Sequence, residues 1–182
     1  MAFDLGGLLQ KYLNVPAGQA APGAEQHFDQ VAQHAPPEVL GQGISEALRS
    51  DATPPLGQMV GDVYSKASPD QQAGMLNHIL ASLPQGALSS LGGGALSSLG
   101  GGALGGLLGQ LTGGGTPQVT PQQASQISPS QVQDLANHAE QHGSGIFDAL
   151  GNFYAQHPDL VKRLGAAALT IAMANIAGRM RR

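Results

Sequence analysis

Six histidines are the residues of this sequence whose chemistry best suits a metal ion or proton transfer. His138 and His142 stand four residues apart in the stretch HAEQH, so a helix would place both imidazoles on one face, within reach of one ion. The stretch is not an HExxH motif, because Glu140 lies about 200° around such a helix from His138. Metal sites usually need three or four ligands, so we expect two exposed histidines here and keep the pair only as metal candidates. A third ligand would have to come from His27, His34, His78 or His157.

A second pair of histidines could respond to pH. His27 and His34 lie seven residues apart on either side of Asp29, and imidazoles titrate near neutral pH. Solvated polar positions on a helix explain the two residues equally well, because no partner charge can be identified from the sequence.

Motifs for catalysis or for binding a cofactor are missing. The chain has no Cys, which excludes disulfides, thiolate metal sites and a Cys nucleophile. No Ser stands in a GxSxG turn, no GK[ST] follows the glycines, and no Lys or Arg lies between Gln71 and Gln133 to meet a phosphate. The first 161 residues hold all twelve acids and only three bases, a balance that disfavours nucleic-acid binding. We therefore predict a non-enzyme with no cofactor and no nucleic-acid partner.

Short helices are predicted on both sides of an uncharged central stretch. Three starts share one signal, a Ser or Thr followed by Pro and, three residues on, by Gln, as in a capping box; they lie at Ser68, Thr120 and Ser128. The N-terminal residues place Leu8, Leu9 and Tyr12 at helical spacing, and their acid and glycines are unlike a secretory signal. We predict an amphipathic helix there that docks on the body or on a partner.

The last predicted helix, Pro158 to about Met180, is apolar all round. It carries no charge between Leu164 and Gly178, and such a helix must be buried in protein or in lipid. Its large residues are Leu160, Leu164 and Ile171 on one side, with Leu169, Met173 and Ile176 on the other. Small residues at every fourth position would let another backbone approach closely. This small-residue ladder consists of Ala166, Thr170, Ala174 and Gly178.

The length of this apolar stretch bears on whether it meets lipid. Fifteen residues rise about 22 Å as a helix, whereas the hydrocarbon core of a bilayer is about 30 Å thick. A protein bundle or a subunit contact is therefore the preferred environment. Five bases among the last 21 residues, with no acid, keep a membrane surface as the alternative.

Residues 86 to 115 form a Gly/Leu repeat with the octad GALSSLGG. A period of eight turns a helix by about 80° per repeat, so Leu88, Leu96 and Leu104 would make no stripe on a continuous helix. Glycine-rich tracts are usually flexible, which favours a linker with apolar leucines. Short helical turns that pack onto a partner remain the other outcome.

Several stretches resemble known bacterial sequences. The segments QHFDQVAQHAPPEVLGQGISEALRS, PPLGQMVGDVYSKASPDQQAGMLNHIL and FYAQHPDLVKRLGAAAL resemble those of small uncharacterised bacterial helical proteins, and LGGLLGQLTGGG is similar to the Gly-Leu segments of the YidB-like family. The resemblance implies a helical bacterial protein and no site residues.

Together these features predict an all-α protein, with short helices in a small bundle interrupted by a Gly/Leu-rich low-complexity segment. The predicted segments are a helix over 1–15, a linker over 16–23, a helical domain over 24–84, a repeat linker over 85–119 and a helical segment over 120–182. We expect a cytoplasmic, non-enzymatic interaction or self-assembly protein. Its contact surfaces would be the C-terminal apolar helix and the repeat leucines, and its partner another protein or a second copy. The alternative is a membrane-associated protein anchored by the C-terminal apolar, basic helix.

Overall fold

The protein is all-α throughout the residues that its structure, a computed structural model, describes, namely 5–16, 19–84, 118–143 and 145–180. The predicted fold class is therefore confirmed. The repeat residues Leu88, Leu96 and Leu104 lie outside the described residues. The helices are α1 (Leu5–Leu13), α2 (Ala24–His34), α3 (Pro37–Leu48), α4 (Leu56–Lys66), α5 (Pro69–Ser82), α6 (Pro121–Ala124), α7 (Pro129–His142), α8 (Gly145–Gln156), α9 (Pro158–Val161) and α10 (Ala166–Met180).

The three predicted capping boxes are all formed. At the start of α5 the Ser68 hydroxyl accepts from the backbone of Gln71, whose side chain in turn accepts from the backbone N–H of Ser68 at 3.0 Å. The same reciprocal pair begins α6 and α7, from Thr120 and Ser128. Each box satisfies two backbone donors that a helix start would otherwise leave unpaired, so these local signals fix where the helices begin.

The prediction of one continuous helix from Pro158 to Met180 is wrong. The chain forms a single turn at α9 and a 3-10 turn over Lys162–Leu164, and α10 begins only at Ala166. Between them Gly165 adopts φ 95° and ψ 154°, a conformation that L side chains rarely take and that interrupts the helix. Leu164 consequently belongs to the 3-10 turn and not to the face of α10.

The chain divides into two compact units. We call Met1–Pro55 with Leu150–Arg182 the terminal unit, and Leu56–Ala149 the central unit. The division follows contacts and not chain order, so the predicted segments 24–84 and 120–182 each contribute to both units. Helix α8 begins in the central unit and continues into the terminal unit.

Helix α10 is the centre of the terminal unit, where it packs against α1, α2 and α3. Leu169, Met173 and Ile176 on α10 are fully buried, and so are Phe28 on α2 and Ile44 on α3. Burial of each such side chain contributes about 1.5–3 kcal/mol to folding. The environment that the apolar sequence of α10 requires is thus supplied largely by the chain's own helices.

Glycines let the helices of the terminal unit approach backbone to backbone. On α8, a Cβ built at Gly151 would run into the backbone oxygen of Gly41 on α3 and come within 3.1 Å of the backbone nitrogen of Ser45. On the other side of α3, a Cβ at Gly43 would meet Ile176 and stand 3.1 Å from the backbone oxygen of Ala172. Helix α3 therefore packs closely against both α8 and α10.

In the central unit α4 packs on α7 and α5 on α6. The buried Tyr64 hydroxyl donates to the backbone oxygen of Ala124 at 2.6 Å. Asn77 on α5 holds the chain after the repeat, because its side chain accepts from the N–H of Val119 at 2.7 Å and donates to the same residue's oxygen at 3.4 Å. The described residues on both sides of the repeat thus belong to the central unit.

Candidate functional site

The small-residue ladder of α10 is covered in its middle and open at its end. Thr170 is buried, and its hydroxyl donates to the Ala166 oxygen at 2.8 Å and accepts from the N–H of Ala21 at 3.0 Å. Ala174 is half-buried, Gly178 is exposed, and a Cβ built at Gly178 meets nothing within 4 Å. The chain's own N-terminal segment therefore occupies part of the ladder, and the last turn is left accessible.

Helix α1 also covers α10. It lies against α10 and buries Leu9 and Tyr12. This confirms the prediction that the N-terminal residues form a helix that docks on the body of the protein. Tyr12 is also tied to α2, since its hydroxyl lies 2.6 Å from Nδ1 of His27 and the two rings meet edge to face. Burial raises the pKa of the Tyr12 phenol.

A cleft of about 370 Å³ opens where α1 ends beside the last turns of α10. One wall carries Leu13, whose exposed fraction of 37% is large for an apolar side chain. The floor is the end of the ladder, where Gly178 leaves room for a further side chain. We call this the ladder cleft, and it is lined by Tyr12, Leu13, Val15, Glu46, Ala174, Asn175, Gly178 and Arg179.

Acidic partners on the same unit neutralise part of the basic C-terminal segment. Arg179 pairs with Glu46 and donates to the side chain of Gln42 at 2.7 Å, and Lys162 lies 3.1 Å from Asp29. These side chains are 33% to 43% exposed, so each pair contributes at most about 1 kcal/mol. Their larger consequence is that the ladder cleft ends in a neutral ion pair instead of a patch of positive charge.

The remaining predicted contact residues of the C-terminal region are less accessible than the sequence indicated. Ile171 is half-buried on α10, and Leu164 is buried in the 3-10 turn before it. Among the described residues of the predicted surface, Gly178 is exposed and Ala166 and Ala174 are half-buried. The one fully exposed position among these described residues is thus Gly178, at the end of the ladder.

The histidine candidates do not converge. The His138 and His142 rings are adjacent on α7, with centroids 4.3 Å apart, whereas His27 bonds to Tyr12 and the His157 ring contacts that of Phe153. Across the ranges that the structure describes, no group of three or more His, Cys, Asp or Glu side chains is placed to hold a metal ion. The structure therefore supplies no third ligand for the pair on α7 within those ranges.

Comparisons with protein-family models, with curated proteins and with solved structures find no match to this chain. None of the helices in the described ranges combines the length and the apolar character needed to cross a bilayer.

Proposed function

We propose that the protein is a non-enzymatic interaction or self-assembly protein and that the ladder cleft is one of its contact surfaces. The observation that carries the proposal is the exposed Leu13 beside the open position at Gly178. An apolar side chain from a partner can enter between them and pack against the α10 backbone, as in other contacts between helices with small residues.

The size of the cleft indicates the strength of this contact. A volume of about 370 Å³ accommodates two or three side chains of a partner. A stable protein interface buries about 1,200 Å² of surface, which takes many more side chains than this cleft can hold. A single cleft therefore supports weak association, and the uncharged repeat with Leu88, Leu96 and Leu104 would supply further apolar contacts. We propose a second copy of the chain as the first partner to test, in a cytoplasmic setting.

The test compares two substitutions at one position. Gly178→Trp fills the open end of the ladder, whereas Gly178→Ala adds one methyl group to open space. We expect sedimentation velocity to show wild type and G178A associating as concentration rises, and G178W to need at least about tenfold more protein, equivalent to about 1.4 kcal/mol.

Thermal unfolding of G178W provides the control for folding, since an unaltered melting temperature excludes general damage. A wild-type chain that stays monomeric over the whole concentration range would contradict self-assembly. Association that requires anionic vesicles, detected by flotation, would instead support the membrane alternative.

A further inference from the structure

A second cleft, also lined by Tyr12, opens where the end of α1 meets the start of α2. Its volume is about 270 Å³, and none of the described residues that line it is acidic. It differs in this from the ladder cleft, which contains Glu46. We call it the His27 cleft, and it is lined by Lys11, Tyr12, Val15, Ala21, Pro22 and His27.

The bond between Tyr12 and His27 determines which ring nitrogen can donate to a ligand. The Tyr12 phenol is buried and has no other hydrogen-bond partner among the described residues, so we assign its proton to the 2.6 Å contact with Nδ1 of His27. A neutral imidazole that accepts at Nδ1 carries its own proton on Nε2. Nε2 makes no hydrogen bond to any described residue, and His27 is half-buried in the wall of the cleft. With this assignment, His27 offers its Nε2–H to the cleft as a hydrogen-bond donor.

Lys11 adds a positive charge at the same cleft. Its side chain is exposed and forms no ion pair with any acid in the described ranges. The facing helix α2 carries two acids, Glu25 and Asp29; neither forms an ion pair with Lys11, and Asp29 is already paired with Lys162 at 3.1 Å. The charge on Lys11 is thus available to an anion.

We propose that the His27 cleft binds a small apolar monocarboxylic acid. The carboxylate pairs with the Lys11 ammonium and accepts from Nε2–H of His27, and the hydrocarbon part lies on Val15, Ala21 and Pro22. Hydrogen bonds between charged and neutral partners of this kind are short and strong relative to neutral ones. This proposal does not rest on the self-assembly proposed for the ladder cleft, although Tyr12 and Val15 line both clefts.

The dimensions set the size of the acid. A volume of 270 Å³ corresponds to roughly nine water molecules at about 30 Å³ each, so it suits a ligand of about ten non-hydrogen atoms, such as octanoate or benzoate. Ligands of this size in an open cleft bind with dissociation constants of about 0.1 to 1 mM.

The experiment is a titration of the full chain with octanoate, followed by amide and imidazole nitrogen chemical shifts. We expect saturable shifts at Lys11, Tyr12 and His27, with the His27 ring in the Nε2–H tautomer. Lys11→Gln should weaken binding about fivefold and Lys11→Arg less than twofold, since the arginine keeps the charge. His27→Asn keeps an acceptor near Nδ1, removes the Nε2 donor and should weaken binding about tenfold.

Two controls separate this site from general charge or apolar effects. Lys66→Gln changes the net charge equally at an exposed position of the central unit and should leave the affinity unchanged. Octanamide has the same chain without the charge and should bind at least fivefold more weakly than octanoate. Equal affinities for octanamide and octanoate, equal effects of K11Q and K66Q, or no saturable shift up to 10 times the expected dissociation constant would overturn the proposal. Because Lys11 is exposed, K11Q tests the site without the loss of folding that substitutions at buried positions risk.

Discussion

Gly151→Ala is expected to destabilise the terminal unit by about 2 to 4 kcal/mol. The added methyl group would run into the backbone oxygen of Gly41 and crowd the backbone nitrogen of Ser45, so α8 and α3 would have to move apart. A backbone group cannot rotate away as the end of a side chain can, and overpacking in a close-packed interior commonly costs 1–3 kcal/mol or more. Alanine favours a helix over glycine by about 1 kcal/mol, which offsets only part of this cost.

Gly178→Ala is the matched control for this prediction. It is the same change inside a helix of the same unit, but its methyl group meets nothing within 4 Å, so we expect a gain of up to about 1 kcal/mol. Urea unfolding followed by circular dichroism measures both free energies. Equal effects of the two substitutions, or a G151A protein more stable than wild type, would show that α3 and α8 do not approach at these glycines.

While the protein is folded, Tyr64 and Tyr154 should keep their phenol protons at pH 10, and Tyr12 should be less ionised there than a free tyrosine. Burial raises the pKa of Tyr12, Tyr64 and Tyr154 above the usual value of 10.0. The folded chain therefore retains phenol protons that the unfolded chain releases above pH 10. Stability is complete below that pH and falls as the pH rises, by up to about 1.4 kcal/mol per pH unit for each buried tyrosine. We expect unfolding in alkali with ionisation of the tyrosines in the same step.

Tyrosinate absorbance measures this directly, because the chain has no tryptophan to obscure it. Phenylalanine variants assign the contributions of the two units. Tyr64→Phe loses the bond to Ala124 and should cost about 1 kcal/mol at neutral pH. Tyr154→Phe removes a buried hydroxyl that has no hydrogen-bond partner among the described residues, so it should be neutral or stabilising. Gradual ionisation centred at pH 10, without unfolding, would contradict the burial of these rings.

Local signals in the sequence were sufficient for most helix starts and for the fold class. The capping boxes at Ser68, Thr120 and Ser128 depend on residues three positions apart, so their outcome is decided within a few residues of the chain. Gly165 was not predicted to interrupt the final helix, because a single glycine inside a helical pattern is often tolerated. Its positive φ is a backbone conformation that glycine adopts readily, but the sequence pattern does not say at which glycine the chain uses it.

The candidate site was predicted only in part, for a related reason. The spacing of Ala166, Thr170, Ala174 and Gly178 indicates a face that another backbone can approach, but it does not say which backbone does so. The structure places α1 and the N–H of Ala21 against this face, from residues about 150 positions earlier in the chain. The bond between Tyr12 and His27 was missed likewise, since no periodicity connects residues on two different helices. The sequence feature that could have predicted close packing at α3 is the pair of glycines, Gly41 and Gly43, in the stretch LGQGIS.

Amide hydrogen exchange along α10 tests most directly whether the chain covers this helix itself and leaves only its last turn for a partner. We predict slow exchange for the buried stretch from Ala168 to Ala177 at every protein concentration, with protection near Leu13 and Gly178 that grows as concentration rises. Fast exchange along the whole of α10 in dilute protein, with protection appearing only on association or with lipid, would show that another molecule covers the helix and would contradict this arrangement.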